Sequence, residues 1–207
     1  MKKSILLIVM AFFTLPFSSL AQEEFPSELW HEGKLVLLSG DVLRGKIKYN
    51  LDNDAIQINV DSRINTYSAR KILYFEIFDE TVDRYRQFYA LPYRIRPNYK
   101  VPLLFEVLYE NTLTLLCREA IVQENIPQFN YYYGSRYSTR LRLVYEYYFL
   151  DKDGEIVKYT QKKEDLYTIL TKNQDELEKY IKKNSLRYDR QRDLVRITAY
   201  YNSLLNS

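Results

Sequence analysis

LVLLSGDVLRGKIKYN (residues 35–50), AIQINV (55–60) and TYSARKILYFEIF (66–78) decide how this chain folds. Together they read as a small, strongly bent β-sheet. Leu35 to Leu38 is a short apolar run, as expected of a strand covered on both faces. Ser39-Gly40-Asp41 is a turn cluster. In the next strand Leu43, Gly45, Ile47 and Tyr49 share one face, and Val42, Arg44, Lys46 and Lys48 share the other. Gly45 falls in mid-strand, where glycine marks a bulge or a sharp bend. Ile56, Ile58 and Val60 alternate with Gln57 and Asn59, Thr66-Tyr67-Ser68 offers a brief pairing segment, and Ile72 to Phe78 is a further strand. Five short strands with a bent second one either close into a small barrel or lie as an ordinary antiparallel meander.

Outward from that core, Met1 to Ala21 has the order of a secretory signal peptide. Lys2 and Lys3 precede the apolar stretch Ser4 to Phe17, and Ser19-Leu20-Ala21 ends it as a small-x-small cleavage site. Pro16 and the short apolar length argue against a membrane anchor, and no cysteine follows the site for lipidation. The expected location is therefore the periplasm or cell envelope of a Gram-negative bacterium, with no membrane span after removal of the signal. Loss of residues 1–21 removes two lysines and no acid, so the net charge falls from +3 to +1. An exported, nearly neutral chain has no charge field for nucleic acid. Cys117 is the one cysteine, so no internal disulfide forms, and its strand-like setting predicts a buried, inert thiol. The single histidine, His31, has no partners from which to build a zinc site.

Residues 81–91 alternate, with Tyr85, Gln87 and Tyr89 opposing Arg86, Phe88 and Ala90. Pro92 and Pro97 bracket Tyr93 to Arg96, which reads as a linker or irregular crossing. Leu103–Tyr109 and Thr112–Arg118 predict a hairpin about Glu110-Asn111. Ala120 to Ser138 reads as a long polar and aromatic insertion, Leu141 to Leu150 as the next strand, and Asp151-Lys152-Asp153-Gly154 as a hairpin turn. The acids of that turn resemble a calcium loop, but Lys162 stands where its twelfth ligand belongs. From Lys162 the period becomes helical. Leu166, Ile169 and Leu170 mark one helix. Leu177, Tyr180 and Ile181 mark a second, with a capping-box-like start at Asn173. Leu194, Ile197, Tyr201 and Leu204 mark a third, capped by Asp189. The expected class is α+β: an antiparallel β-rich body (small bent sheet or barrel plus hairpins) closed by about three C-terminal helices. Its segments are 1–21 signal, 22–92 small barrel-like or meander domain, 93–160 hairpin region with the Tyr-rich insertion, and 161–207 helical segment.

Two resemblances accompany this reading. SGDVLRGKI, AIQINV and ARKILYFEI, in about a quarter of the chain, resemble Sm-like or SH3-like small barrels. PLLFEVLYENTLTLLCRE (102–119), YYFLDKDGEIVKYTQKKEDL (147–166) and DLVRITAYYNSL (193–204) resemble exported Bacteroidetes proteins of unknown function. That second likeness implies location and class and carries no catalytic residues with it.

No catalytic, cofactor or metal motif stands out. There is one histidine for a triad and no glycine loop for phosphates among five glycines. The 21 tyrosines instead cluster with arginines. Tyr131, Tyr132, Tyr133, Arg136, Tyr137, Arg140 and Arg142 are the candidate partner-binding residues, since tyrosine and arginine supply contact area and pairing at interfaces. Tyr145, Tyr147 and Tyr148 read instead as cover for a sheet face. The expected function is non-catalytic: an exported envelope protein that binds a protein or glycan. The alternative is a carboxylate-based hydrolase of envelope or dietary polysaccharide, because carboxylate pairs are invisible in sequence.

Overall fold

The computed structural model describes residues 24–130 and 134–205; the side chains of 127–138 lie outside the description. Ten strands are followed by three helices: β1 His31–Leu37, β2 Val42–Asn50, β3 Ala55–Val60, β4 Arg63–Ser68, β5 Ile72–Asp79, β6 Arg84–Arg96, β7 Tyr99–Tyr109, β8 Thr114–Asn130, β9 Gly134–Leu150, β10 Ile156–Tyr159, α1 Lys163–Ile169, α2 Gln174–Lys183 and α3 Gln191–Leu205. All the strands form one antiparallel sheet, ordered β10-β9-β8-β7-β6-β5-β1-β2-β3-β4. The α+β class follows directly. The bent unit read at residues 35–78 is the β5-β1-β2-β3-β4 end of this larger sheet, and no ladder joins β4 back to β5.

The bend has an identifiable cause. Gly33 of β1 and Gly45 of β2 face each other in register. A Cβ on Gly45 would lie 2.2 Å from the Asn59 carbonyl oxygen, and one on Gly33 would lie 2.4 Å from that of Glu76. Backbone occupies both places, so the strands coil together more tightly than any side chain allows. The β1–β2 register runs through Gly45 without a shift, so the device is a bend and not a bulge. We expect Gly45→Ala to cost about 1–3 kcal/mol, as overpacking does, read as a lower urea midpoint at unchanged slope.

Curling brings β2 and the β2–β3 turn against β7 and β8. Leu35, Ile47, Ile56, Ile58, Phe75 and Phe88 fill the inside of the curl, each fully buried. Register places Phe75, Ile77 and Asp79 of β5, Arg86 and Phe88 of β6, Glu106 of β7 and Cys117 of β8 on that same face. Further along it, the helices cover Leu115, Cys117, Tyr147 and Phe149 with Leu166, Leu177, Ile181, Leu194 and Ile197. One face therefore carries two cores, and the charged residues lie at the seam between them. On the opposite face Phe105, Leu116 and Tyr148 form a smaller cluster under Tyr93.

Several local expectations are corrected. Tyr93 to Arg96 is not a linker: it continues β6 and pairs with β7. Pro92 faces Pro102 across that ladder, and a pair position that requires neither N–H holds both rings. The β7–β8 connection spans residues 110–113 instead of two residues. Leu113 is held out of the ladder because Asn202 of α3 binds both its N–H and its carbonyl, each at 2.9 Å. Asn173 precedes α2 with φ 50° and makes no side-chain cap bond; its Nδ2 donates to the Leu204 carbonyl instead. The first bonds of α3 run to the Arg190 carbonyl, while Asp189 pairs with Arg187. At the end of α2, Ser185 takes φ 51°, with Ser185 N–H donating to Lys182 and Leu186 N–H to Ile181. That is the left-handed closing turn commonly made by glycine.

Candidate functional site

The Ala120–Ser138 insertion is not a loop. Residues 114–130 of β8 pair without a register shift with 134–150 of β9. The β7–β8 ladder, however, ends at the Glu106–Cys117 pair, and the β9–β10 ladder ends at the Tyr147–Tyr159 pair. Past those points β8 and β9 pair only with each other among the described residues and form a two-stranded arm. From Gln123 and Leu141 to its end the arm has eight register pairs, about 27 Å at ~3.4 Å per residue. None of its described residues there joins a buried cluster.

Of the candidate residues, Arg136, Tyr137, Arg140 and Arg142 lie on β9. Arg140 and Arg142 are exposed, and both approach Glu124 Oε2, at 3.2 and 3.6 Å. Arg136 and Tyr137 stand opposite Gln128 and Pro127, and their side chains lie outside the described residues. Tyr131, Tyr132 and Tyr133 also lie outside them. Tyr147 and Tyr148 are buried, as cover for a sheet face.

At the arm's root the sheet splits, because β7 turns away with β6. The β2–β3 turn fills the split. Arg118 donates to Asp54 at 2.7 Å, to the Leu104 carbonyl at 2.8 Å and to the Leu51 carbonyl, while Leu104 N–H donates to Asp54 at 2.7 Å.

Beside the split lies a buried ionic cluster that sequence reading missed. The Arg86 guanidinium, 3% exposed, uses all five of its N–H groups. Nε and Nη2 grip Glu106 as a fork at 3.1 and 2.7 Å. Nη2 also reaches Glu119 at 2.5 Å, and Nη1 reaches Asp79 at 2.9 Å and the Tyr49 hydroxyl at 3.0 Å. Tyr49 passes its own proton to Glu119 at 2.8 Å. Asp79 accepts from the N–H and hydroxyl of Thr81, and Glu106 from Arg84. Every carboxylate oxygen thus has a donor. Burial opposes the charges of Arg86 and Asp79, but their partners outweigh it. The bonds and charges of Glu106 and Glu119 raise Arg86, and the bonds from Thr81 and Arg86 hold Asp79 below its usual range. Burial drives the Tyr49 and Cys117 protons in the holding direction. The cluster joins β2 to β8, residues 70 apart in sequence and five places apart in the sheet order. Its geometry suits a clamp on the curl.

A cleft of 560 Å³ opens above it. One wall is the root of β8, Glu119 to Ile121, and the other carries Lys48, Gln57 and Thr66. Those three stand in a row across β2, β3 and β4. Ser27 and Glu28 close one end. A smaller hollow of 320 Å³ lies between Glu24–Pro26 and Arg140–Leu143. His31 is buried, with Nε2 2.7 Å from the Pro26 carbonyl. No group of His, Cys, Asp and Glu among the described residues is arranged to hold a metal ion. No helix among them is long and apolar enough to cross a membrane.

The missed cluster left one signal in the sequence. Arg86, Glu106 and Glu119 have the parity of the apolar positions in their strands, alongside Phe88, Leu104 and Cys117. A charge in register with an apolar face needs a buried partner. Comparison with known proteins adds no relative: no family model, no curated protein and no solved structure matches this chain.

Proposed function

We propose that this chain is an exported, non-catalytic protein of the cell envelope that binds a protein or glycan partner through its β8–β9 arm. The arm carries the reading. A two-stranded ribbon standing alone is marginally stable in water, and here it leaves its body with Arg140, Leu141 and Arg142 exposed. Contact with a partner supplies what the body does not. Tyr131, Tyr132, Tyr133, Arg136, Tyr137, Arg140 and Arg142 are the residues assigned to that contact. Glu119, the buried carboxylate at the cleft, already has both oxygens taken by Tyr49 and Arg86, which favours this over the polysaccharide-hydrolase alternative. The curled β1–β5 unit, bent at Gly45, supports the likeness to small Sm-like or SH3-like barrels. The Lys2-Lys3, apolar and Ser19-Leu20-Ala21 order supports export and the Bacteroidetes likeness.

Two measurements test this. Intact-mass analysis of the native protein is expected to give a chain beginning at Gln22; a chain retaining Met1 removes export. Tyr132→Ala with Tyr133→Ala, and separately Arg140→Ala with Arg142→Ala, are expected to leave stability within about 1 kcal/mol, the range for exposed substitutions. Both are expected to abolish co-purification of envelope proteins or glycans. Unchanged capture by both variants ends the arm reading.

A further inference from the structure

We infer that the open edge of β8 beside the cleft receives an extended polypeptide segment of another protein, which adds to the sheet as a strand along Glu119–Asn125. The inference rests on the binding reading and specifies its ligand and site. β8 continues for thirteen residues after Cys117, its last residue paired with β7, and no other strand among the described residues takes β7's place. Outward N–H and carbonyl groups are therefore left along that edge, the template that strand addition uses.

Pro127 shows which groups these are. It sits inside an unbroken ladder with β9, opposite Tyr137, and proline in a strand turns its missing N–H away from the partner. Period two then turns the N–H groups of Ile121, Gln123 and Asn125 outward as well. Pro127 itself, with no donor, marks where addition stops.

The two edges of the arm differ. From Ala120 to Asn130 the β8 side has one charged residue, Glu124, already held by Arg140 and Arg142. The β9 side carries Arg136, Arg140 and Arg142, and such charges guard an edge against pairing. The root of the receptive edge, Glu119 to Ile121, lines the 560 Å³ cleft. Across it, the side chains of Lys48, Gln57 and Thr66 hold no hydrogen bond or ion pair with any described residue. Amide and hydroxyl groups there can meet the far edge of an added strand, and Lys48 calls for a carboxylate on it. A second copy's β8 would bring only Glu124, whose charge Arg140 and Arg142 already take, so charge favours an acidic segment from a different protein.

The probe is a displayed library of random peptides of about ten residues, a length that spans the edge, panned on the full mature protein. Expected are peptides with an acidic residue and alternating β-branched positions, confirmed as synthetic peptides by titration. Gln123→Pro removes an outward N–H only, so it is expected to melt like the parent and to lose at least about tenfold in affinity; Lys48→Ala is expected to weaken binding too. Val122→Pro cuts the β8–β9 ladder and is expected to unfold the arm. Should Gln123→Pro itself unfold, the peptide is N-methylated at alternate amides: methylation on one edge should abolish binding and on the other leave it. No enriched peptide, equal binding by folded Gln123→Pro, or equal tolerance of methylation on both edges overturns the inference. Concentration-dependent dimers that Gln123→Pro dissolves would assign the edge to a second copy and also overturn it. If Gln123→Pro still captures an envelope partner that Arg140→Ala with Arg142→Ala loses, the edge inference falls while the arm reading stands.

Discussion

Arg86→Met is expected to remove at least roughly 3–5 kcal/mol of stability at neutral pH, the range for breaking one buried ion pair. Three carboxylates depend on this guanidinium, so the upper end applies, against a total of about 5–15 kcal/mol for a domain. Methionine fills similar space, so the loss comes from charge left unpaired and not from a cavity. Acid should act less strongly on the variant than on the parent. In the parent, Asp79 has a folded pKa below its unfolded value. Its contribution is full above the unfolded pKa, about 3.9, and is lost as pH falls through the folded one. In Arg86→Met Asp79 loses its cation, so burial acts against its charge with only the Thr81 bonds to oppose it. The variant therefore has less of this contribution to lose, and its stability falls less than the parent's as pH is lowered from about 7 toward about 3. Urea titrations at both pH values check this. A loss under about 1 kcal/mol, or a variant with the parent's acid response, would show that the curl does not depend on this clamp.

Deleting residues 191–207 is expected to abolish cooperative unfolding altogether. Leu194, Ile197 and Tyr201 of α3 are buried against the sheet, and each such side chain contributes about 1.5–3 kcal/mol. Their loss bares Leu115, Cys117 and Phe149. It also strips Asn202 from Leu113, leaving a buried N–H and carbonyl without partners, at about 1–3 kcal/mol for each such group. Together these reach the whole stability of a domain. The truncated chain should bind hydrophobic dyes and lose near-ultraviolet ellipticity while keeping strand signal. A sharp thermal transition near the full-length midpoint would mean that the helices are ornaments on an independent sheet.

The legible parts of this fold are those where one side of an element is wet and the other dry. Ile56, Gln57, Ile58 and Asn59 alternate because β3 has such sides, and Leu194, Ile197 and Tyr201 recur because α3 does. The arm lacks that contrast. Gln123, Glu124 and Asn125 are polar in succession, so no period there distinguishes a strand from a loop. Pro92 and Pro102 punctuate most chains, yet here they oppose each other within a ladder. The Arg86 cluster draws on five strands, from Tyr49 to Glu119, and only the register that sequence cannot supply brings its members together. The glycine bend was visible at Gly45; its counterpart at Gly33 was visible only once β1 and β2 were aligned.

The order of the sheet also sets a timetable. Neighbouring strands are consecutive in the chain everywhere except at β1, which sits between β2 and β5. A chain emerging from its amino end can pair β1 to β4 as they appear. Its first core then stands half-walled, because Phe75, Phe88 and Leu104 arrive later. The clamp must wait longer still, for Glu119. Until β5 arrives β1 offers a bare edge, and pairings between distant segments are the slow ones to form. The interval of greatest exposure to misassembly thus falls before the middle of the chain has been delivered, and a chaperone acting on this protein would have its work at β1.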